Sequence, residues 1–407
     1  MTEHSYDVIV VGGGIIGWST AYHLQQLGAG RIAVIDASAT SLGTTGAGAG
    51  FVGEWAAGFG PAGWGKNELA VEQYSLDFYR SLGKRADINL RENGNLFLAR
   101  TKAGYDAYIA PMLTHALTPH DIQQLDPAGI VELTEGAMAI DQVYGATYHP
   151  RGIQLHTTPA VKALAAEVLA AGGVDAVHGC RISELVLSSG AVTGVVSSDG
   201  AHYHAPKVIL ACGAWINELV GAIGVQFPLY RVVATRVIGN PSGLPSTLPT
   251  VMIPEQGAWL REHHGGLLWG TGDGYQAIHT LPGEIPVGTR PHYPHLVTAL
   301  TDAVQESFQA LFPQADLAVR EWTQGVPVYS VDRKFISGQV PGVRGLYVTT
   351  GDNESGVTHG PGMGKMIAET ALGIPSLWVD ADSYIPGRFT QRYRDEAAVG
   401  AAMPPRR

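Results

Sequence analysis

Gly12, Gly14, Gly17 and Asp36 have the types and the spacing to hold a dinucleotide. The run GGGIIG over residues 12–17 follows at once on the apolar run VIVV over residues 8–11. Gly12 permits a tight turn out of a strand, and Gly14 lets the backbone approach a pyrophosphate. Gly17 lets the next helix pack closely on the sheet. The free N–H groups and positive end of that helix hold phosphate charge. Asp36 closes a second apolar run, residues 32–35, where an acid accepts hydrogen bonds from an adenosine ribose. In a chain with 53 glycines a lone GxGxxG would be weak. Strand, glycines, helix, strand and acid in register are specific. This unit alone does not separate FAD from NAD.

Further candidates follow. Residues 44–50, TTGAGAG, begin a glycine-rich stretch running to residue 65, the composition of backbone wrapped closely around a ligand. Glu54, Trp55 and Lys66 lie in or beside it, within reach of a site. His263 and His264 sit at the tip of an expected hairpin with no other ligand nearby in sequence, so they read as a solvated turn and no metal is expected. No HExxH motif or Ser–His–Asp arrangement is present. Cys180 and Cys212 lie in unrelated segments, which argues against a disulfide framework. A net charge of −10 argues against nucleic acid or an anionic membrane as partner. No stretch approaches the roughly 20 apolar residues of a membrane span, and no signal peptide is recognisable. A cytoplasmic enzyme is the expectation, with its oligomeric state left open.

The elements that must position these residues read as follows. Helices are expected over residues 18–27, 68–82, 156–171 and 295–312, with a short one at 120–125 and a loop and helix over 356–372. Strands are expected at 94–99, in a meander over 174–205, at 207–213, in longer alternating stretches over 225–269, and at 345–351. Nucleotide-type elements thus recur at three separated places. The fold class expected is mixed α/β (α+β). A discontinuous domain from residues 1–90, 150–222 and 325–395 would carry the nucleotide. Longer antiparallel strands at 91–149 and 223–324 would form a substrate domain, and 396–407 an unstructured tail.

With these motifs in order, residues 5–395 resemble the FAD-dependent amine and amino-acid oxidoreductases of the D-amino-acid oxidase type. That group includes glycine oxidase, monomeric sarcosine oxidase and D-amino-acid dehydrogenases. The landmarks are the glycine unit with Asp36, the 44–50 loop, the run ACGAW over 211–215 and the run GDNESGVTHGP over 351–361. Asp332 to Gly338 also matches a D-x-x-P-x-x-G segment, with Phe335 where proline is usual. The resemblance implies a Rossmann-like FAD domain of the glutathione-reductase type with an inserted antiparallel-sheet domain, and FAD bound non-covalently. It places Gly12, Gly14, Ile15, Gly17, Asp36 and Ser38 on the ADP half. Thr44, Thr45 and Gly50 fall on the ribityl and flavin side. Ile182 falls on the adenine, and Ala211, Gly213 and Trp215 pass under the pyrophosphate. Gly351, Gly356, Val357 and Thr358 fall beside the isoalloxazine, where Thr358 would cap a helix begun by Pro361. Cys212, where threonine is more common, reads as a small buried hydrophobe.

The same resemblance marks departures. Relatives that bind a carboxylate carry an arginine before the position of Asp332, and residues 325–331 supply none. Glycine-oxidase-like relatives carry another in the C-terminal loop, where this chain has Glu354. Sarcosine oxidases carry a lysine at the position of Thr358 and a flavin-linking cysteine near that of Gly325. An acid at a flavin edge attracts a cation and repels a carboxylate, so the substrate reads as cationic or neutral there. Alternatively, Glu354 turns to solvent or pairs with an arginine. Glu354, Thr358 and His359 are the residues nearest the chemistry, His359 as an orienting group or as a satisfied loop histidine. Tyr144, Tyr148, His149, Trp259 and Trp269 read as core or as amine-binding faces. The implied activity is oxidation of a C–N bond in a primary or secondary amine or amino acid. Hydride would pass to flavin N5, the imine would hydrolyse, and oxygen or another acceptor would reoxidise the flavin. A 2-hydroxy-acid dehydrogenase on the same fold and a partner-dependent, non-catalytic flavoprotein subunit are the alternatives.

Overall fold

A computed structural model describes residues 3–39, 43–55 and 65–403. Its first sheet has six strands in the order Ile336–Gln339, Leu346–Thr350, Val208–Leu210, Val8–Val11, Ile32–Asp36 and Val174–His178. All neighbours are parallel except the first pair. The β-branched runs suit strands buried on both faces. Val8, Val10, Ile32 and Val34 turn to one side, and Ile9, Val11, Ala33 and Ile35 to the other. Helices Ile15–Gln26, Thr157–Ala170 and Gly356–Leu372 contribute to the first core. The first and last of these approach closely because Gly364 has no side chain. A Cβ there would stand 2.6 Å from that of Ser19.

The opposite face is covered by a four-stranded sheet, Glu3–Ser5, His202–His204, Ala191–Ser197 and Ile182–Ser188. Residues 174–177 do not join this meander, contrary to expectation. Their strand extends the parallel sheet beside Ile32–Asp36, because the helix before it returns the chain to that edge.

Ten strands form the second sheet, drawn from residues 95–149 and 229–330. Helix Pro294–Leu311 lies on one face and inserts Leu300, Val304, Phe308 and Leu311 among Val237, Leu260, Leu267 and Trp269. The 3–4 residue spacing puts all four on one stripe. The other face carries Ile238, Trp259 and Leu268 against Ala49 and Phe51, so it looks onto the glycine-rich loop.

Two further expectations are corrected. The segment expected as a helix at 120–125 is an edge strand, Gln123–Leu125, paired with Ala146–Tyr148. An isolated turn of helix is marginal, whereas the sheet edge offers backbone partners. The tail is helical over Glu396–Ala402, capped by Asp395, which accepts from Ala398 N at 2.9 Å. Arg231 pairs with Glu396, and Gly400 packs on Tyr230. Residues 404–407 lie outside the described residues. No helix among those described is long and apolar enough to cross a membrane.

Candidate active site

Strand Val8–Val11 delivers the chain to Gly12, whose φ of 114° favours glycine. A Cβ there would stand 2.4 Å from the Ala211 carbonyl oxygen, and one at Gly17 would stand 1.8 Å from that of Gly12. The turn and the helix are therefore locked by two missing side chains. Ile15 N donates to the Thr45 hydroxyl at 3.1 Å, tying the glycine-rich loop to the helix start. Asp36 accepts from Gly13 N at 2.6 Å and from Ser38 N at 2.7 Å. Its carboxylate is oriented by backbone before any ribose arrives.

From here a cavity runs to the C-terminal loop. It encloses about 1440 Å³ including its open mouth. Gly12, Gly14, Ile15, Asp36, Ser38, Thr44, Thr45, Ile182, Ala211, Gly213, Trp215, Glu354, Gly356 and Val357 line it. Gly17, Gly50, Gly351, Thr358 and His359 do not. Gly50 has φ 76° and yields space to the Leu155 carbonyl, while Gly351 ends its strand at φ 69°. Their work is in the backbone around the cavity. Sequence reasoning missed Val287, Gly288 and Thr289, which come from the second sheet's connections to close over Ala37. Val326, Pro327 and Val328 were passed over as merely lacking an arginine.

At the far end the loop before helix Gly356–Leu372 is stitched to strand Val328–Ser330. Asn353 N donates to the Val328 carbonyl at 3.2 Å, and its side-chain oxygen accepts from Ser330 N at 3.1 Å. Asn353 and Glu354 both adopt left-handed backbone, φ 54° and 76°. Such strain costs about 1–3 kcal/mol per residue and clusters at functional sites. Glu354 is half-buried and held in place. Tyr329 donates its hydroxyl to the Glu354 carboxylate, and Arg333 stacks on the Tyr329 ring at 5.4 Å. Asp352 also lines the cavity, and burial pushes its carboxyl up to about 6, against the opposing field of His359. No local pattern of residues announces that shift.

Helix Gly356–Leu372 starts five residues before Pro361, so Thr358 is not its cap. Instead Thr358 donates to the Phe51 carbonyl at 3.4 Å. Pro361 has no N–H for the Val357 carbonyl four residues back. Tyr79 supplies the missing donor at 2.8 Å. His359 faces away from the cavity, 3.5 Å from Glu72 and packed on Phe335. Glu54 and Trp55 likewise turn to helix Lys66–Gly83. Gln73 donates to Glu54 at 2.9 Å, and Trp55 N donates to Glu72 at 2.8 Å. Residues 41–42 and 56–64 of the glycine-rich stretch lie outside the described residues. Among the aromatics, Trp269 is core beside Phe308, Tyr144 is exposed, Trp259 meets the glycine-rich loop at Phe51, and His149 meets it at Trp55.

Both thiols border the cavity. Burial pushes Cys212 up to about 12 and raises Cys180, so neither is a thiolate at neutral pH. Cys180 sits beside Asp36 at the end remote from Glu354. The structure also brings His156 to His263 and His264, with ligand atoms within 4.8 Å of one another, a grouping invisible in sequence. The buried guanidinium of Arg261 acts on the same rings, which opposes a cation there.

Residues 7–370 match the FAD dependent oxidoreductase family. The chain belongs to that family. It is 25% identical over 406 residues to 4-methylaminobutanoate oxidase (formaldehyde-forming) of Paenarthrobacter nicotinovorans, covering 95% of this chain and 46% of that protein. The chain thus spans about half the length of several curated relatives it matches. Glycine oxidase of Pseudomonas putida is 26% identical over 402 residues, covering 94% of this chain and 98% of the relative. The structure of glycine oxidase from Geobacillus kaustophilus superposes with a TM-score of 0.80 at 22% identity, covering 95% and 100% of the two chains. The fold is of the glycine oxidase type, and the cofactor is FAD. The glycine cradle, the helix start at Ile15 and the length of the cavity all fit that group.

Proposed function

We propose that the chain oxidises a C–N bond of a primary or secondary amine or amino acid, with oxygen or another acceptor taking the electrons. The observation that carries this reading is the single cavity that joins the ADP cradle at Gly12 and Asp36 to the loop of Asp352 and Glu354. The names of its relatives, an amine oxidase and a glycine oxidase, support the same substrate class. When bound, FAD supplies the hydride acceptor.

The chain's own residues do the rest. Asp36 and the N-terminus of helix Ile15–Gln26 hold the ADP half. Gly356 and Val357 present the positive end of the C-terminal helix, which favours negative charge arriving at the flavin edge. Glu354, held by Tyr329, attracts an ammonium group into the site. Asp352, raised toward neutrality, is the group best placed to hold or release a proton near that end. Val326–Val328, which line the cavity at this end, exclude water from the reacting carbon. The parallel sheet serves as the nucleotide domain and the ten-stranded sheet as the substrate domain, whose strand Val328–Ser330 runs past the expected limit at 324, and the compartment is the cytoplasm.

Turnover of an amine and amino-acid panel, with the carbonyl product and the released amine quantified together, tests the reading. Equal amounts of the two are expected. A hydroxy acid giving a keto acid, with every amine inert, would instead establish C–O oxidation. Bound FAD with no turnover of either class would favour the non-catalytic subunit.

A further inference from the structure

Arg236 lies on strand Leu229–Asn240, in register between Thr323 and Gly270. Gly270 lies opposite Trp259 on the next strand but one, and the indole crosses it, 2.5 Å from where a Cβ would stand. Thr323, Arg236, Gly270 and Trp259 therefore form one row across the face that looks onto the glycine-rich loop. Trp259 reaches Phe51 of that loop at 5.3 Å, and Arg236 donates from Nη2 to the Gly46 carbonyl at 3.2 Å.

The rest of this guanidinium is unmatched. It has five N–H donors and is always charged, yet Nε is buried without a partner and no acid pairs with it among the described residues. Glu321, the acid whose field reaches it, is taken by Arg320 at 3.2 Å. Burial pulls Arg236 down to about 10, with Arg290 acting in the same direction. Part of its surface nevertheless stays accessible. Its neighbour Arg261 differs: Nε, Nη1 and Nη2 donate to the carbonyls of Ala49, Glu262 and Leu155. Arg91, the next cation, pairs with Glu262. Neither Arg236 nor Arg261 has an acid in an ion pair among the described residues, but only Arg236 of the two also keeps a buried N–H donor unfilled, and such a charge is costly unless a ligand matches it.

We infer that Arg236 anchors the carboxylate of the substrate. The anchor missing before Asp332 and at Glu354 stands on a different strand, and the substrate is a carboxylate-bearing amine, not a simple one. This reverses the expectation drawn from Glu354 alone, and it rests on the C–N oxidation proposed above. Arg236 would be a specificity-determining residue, with its planar fork matched to a carboxylate.

The test uses the FAD-loaded protein and does not require turnover. Acetate and benzoate are titrated against acetamide and benzamide while the flavin absorbance spectrum is followed. The carboxylates are expected to perturb the spectrum saturably and the amides not. Arg236→Gln should weaken carboxylate binding about 100-fold. Arg236→Lys, which keeps the charge and loses the fork, should weaken it about tenfold. Unchanged carboxylate affinity in either variant, or a wild type blind to the difference between acid and amide, overturns the anchor. In turnover, Arg236→Gln should raise KM for a carboxylated amine and spare the decarboxylated analogue; equal losses for both would count against it. Carboxylate binding that depends on Arg236 in a protein that no amine reduces would keep the anchor and sink C–N oxidation. Amine oxidation with indifference to carboxylates would do the reverse.

Discussion

At the scale of single residues, two glycines and one acid make sharp demands. Gly12→Ala would place a methyl 2.4 Å from the Ala211 carbonyl oxygen at a φ that alanine resists. The variant is expected to fold without holding FAD, read as loss of the yellow chromophore on purification. Retention of full flavin content would mean that the turn is not the cradle. Glu354→Gln removes the charge but leaves an acceptor for Tyr329, so amine binding should weaken about tenfold with flavin content unchanged. Unchanged binding of every substrate would take Glu354 out of the substrate site. Gly12, Gly17 and Asp36 were legible because their constraints are local: a turn, a close helix and an acid at the end of the next strand. Arg236 was not. A lone arginine in an alternating strand looks like any surface residue until the fold sets it against Gly46. Asp352 was overlooked for the same reason, since its raised pKa is a property of burial.

Elements show the same division between local signal and tertiary outcome. The helix ending at Leu372 was legible, but its start was expected at Pro361 and lies five residues earlier, at Gly356. Its tight seat on helix Ile15–Gln26 depends on Gly364. Gly364→Ala would press a methyl against Ser19 and cost about 1–3 kcal/mol, measurable as a lowered urea midpoint. On the other sheet, Phe308 is fully buried against Trp269. Phe308→Ala should cost about 3–5 kcal/mol by cavity formation, and a loss below 1 kcal/mol would show that the helix is not packed as described. Strand Val174–His178 was assigned to the wrong sheet, because four alternating residues suit either one and only the returning helix decides. Gln123–Leu125 has no apolar pattern at all, and its strand exists because Ala146–Tyr148 offers an open edge.

The molecule as a whole couples two sheets through one ligand and carries buried histidines in both halves. Burial pulls His23 down to about 4 and His149 to about 3, from an ordinary value near 6.5. The unfolded chain therefore takes up these protons first. Their contribution to stability is full above pH 6.5 and is lost as pH falls through the acid range toward 4 and 3. Asp352, raised to about 6, works the other way between about pH 4 and 6, as do Glu54 and Glu218, which burial also raises, but His156 and His263 are lowered as well and side with the two imidazoles. Urea midpoints measured from pH 7 to 4 should fall, and His149→Gln should flatten the decline. A flat wild-type profile would contradict the burial of these rings. The composite nature of the parallel sheet, drawn from residues 8–36, 174–210 and 336–350, was legible as a recurrence of nucleotide-type strands. Closure of the cavity by Val287–Thr289 was not, because no local pattern announces which connection crosses to the other sheet. The central claim, that the FAD cavity serves amine oxidation, is tested most directly by anaerobic mixing of the yellow protein with carboxylated secondary and primary amines. Rapid bleaching of the flavin's visible band by at least one of them, with recovery on admitting air or an artificial acceptor, is the expected result. A flavin bleached by dithionite but by none of the amines would contradict it.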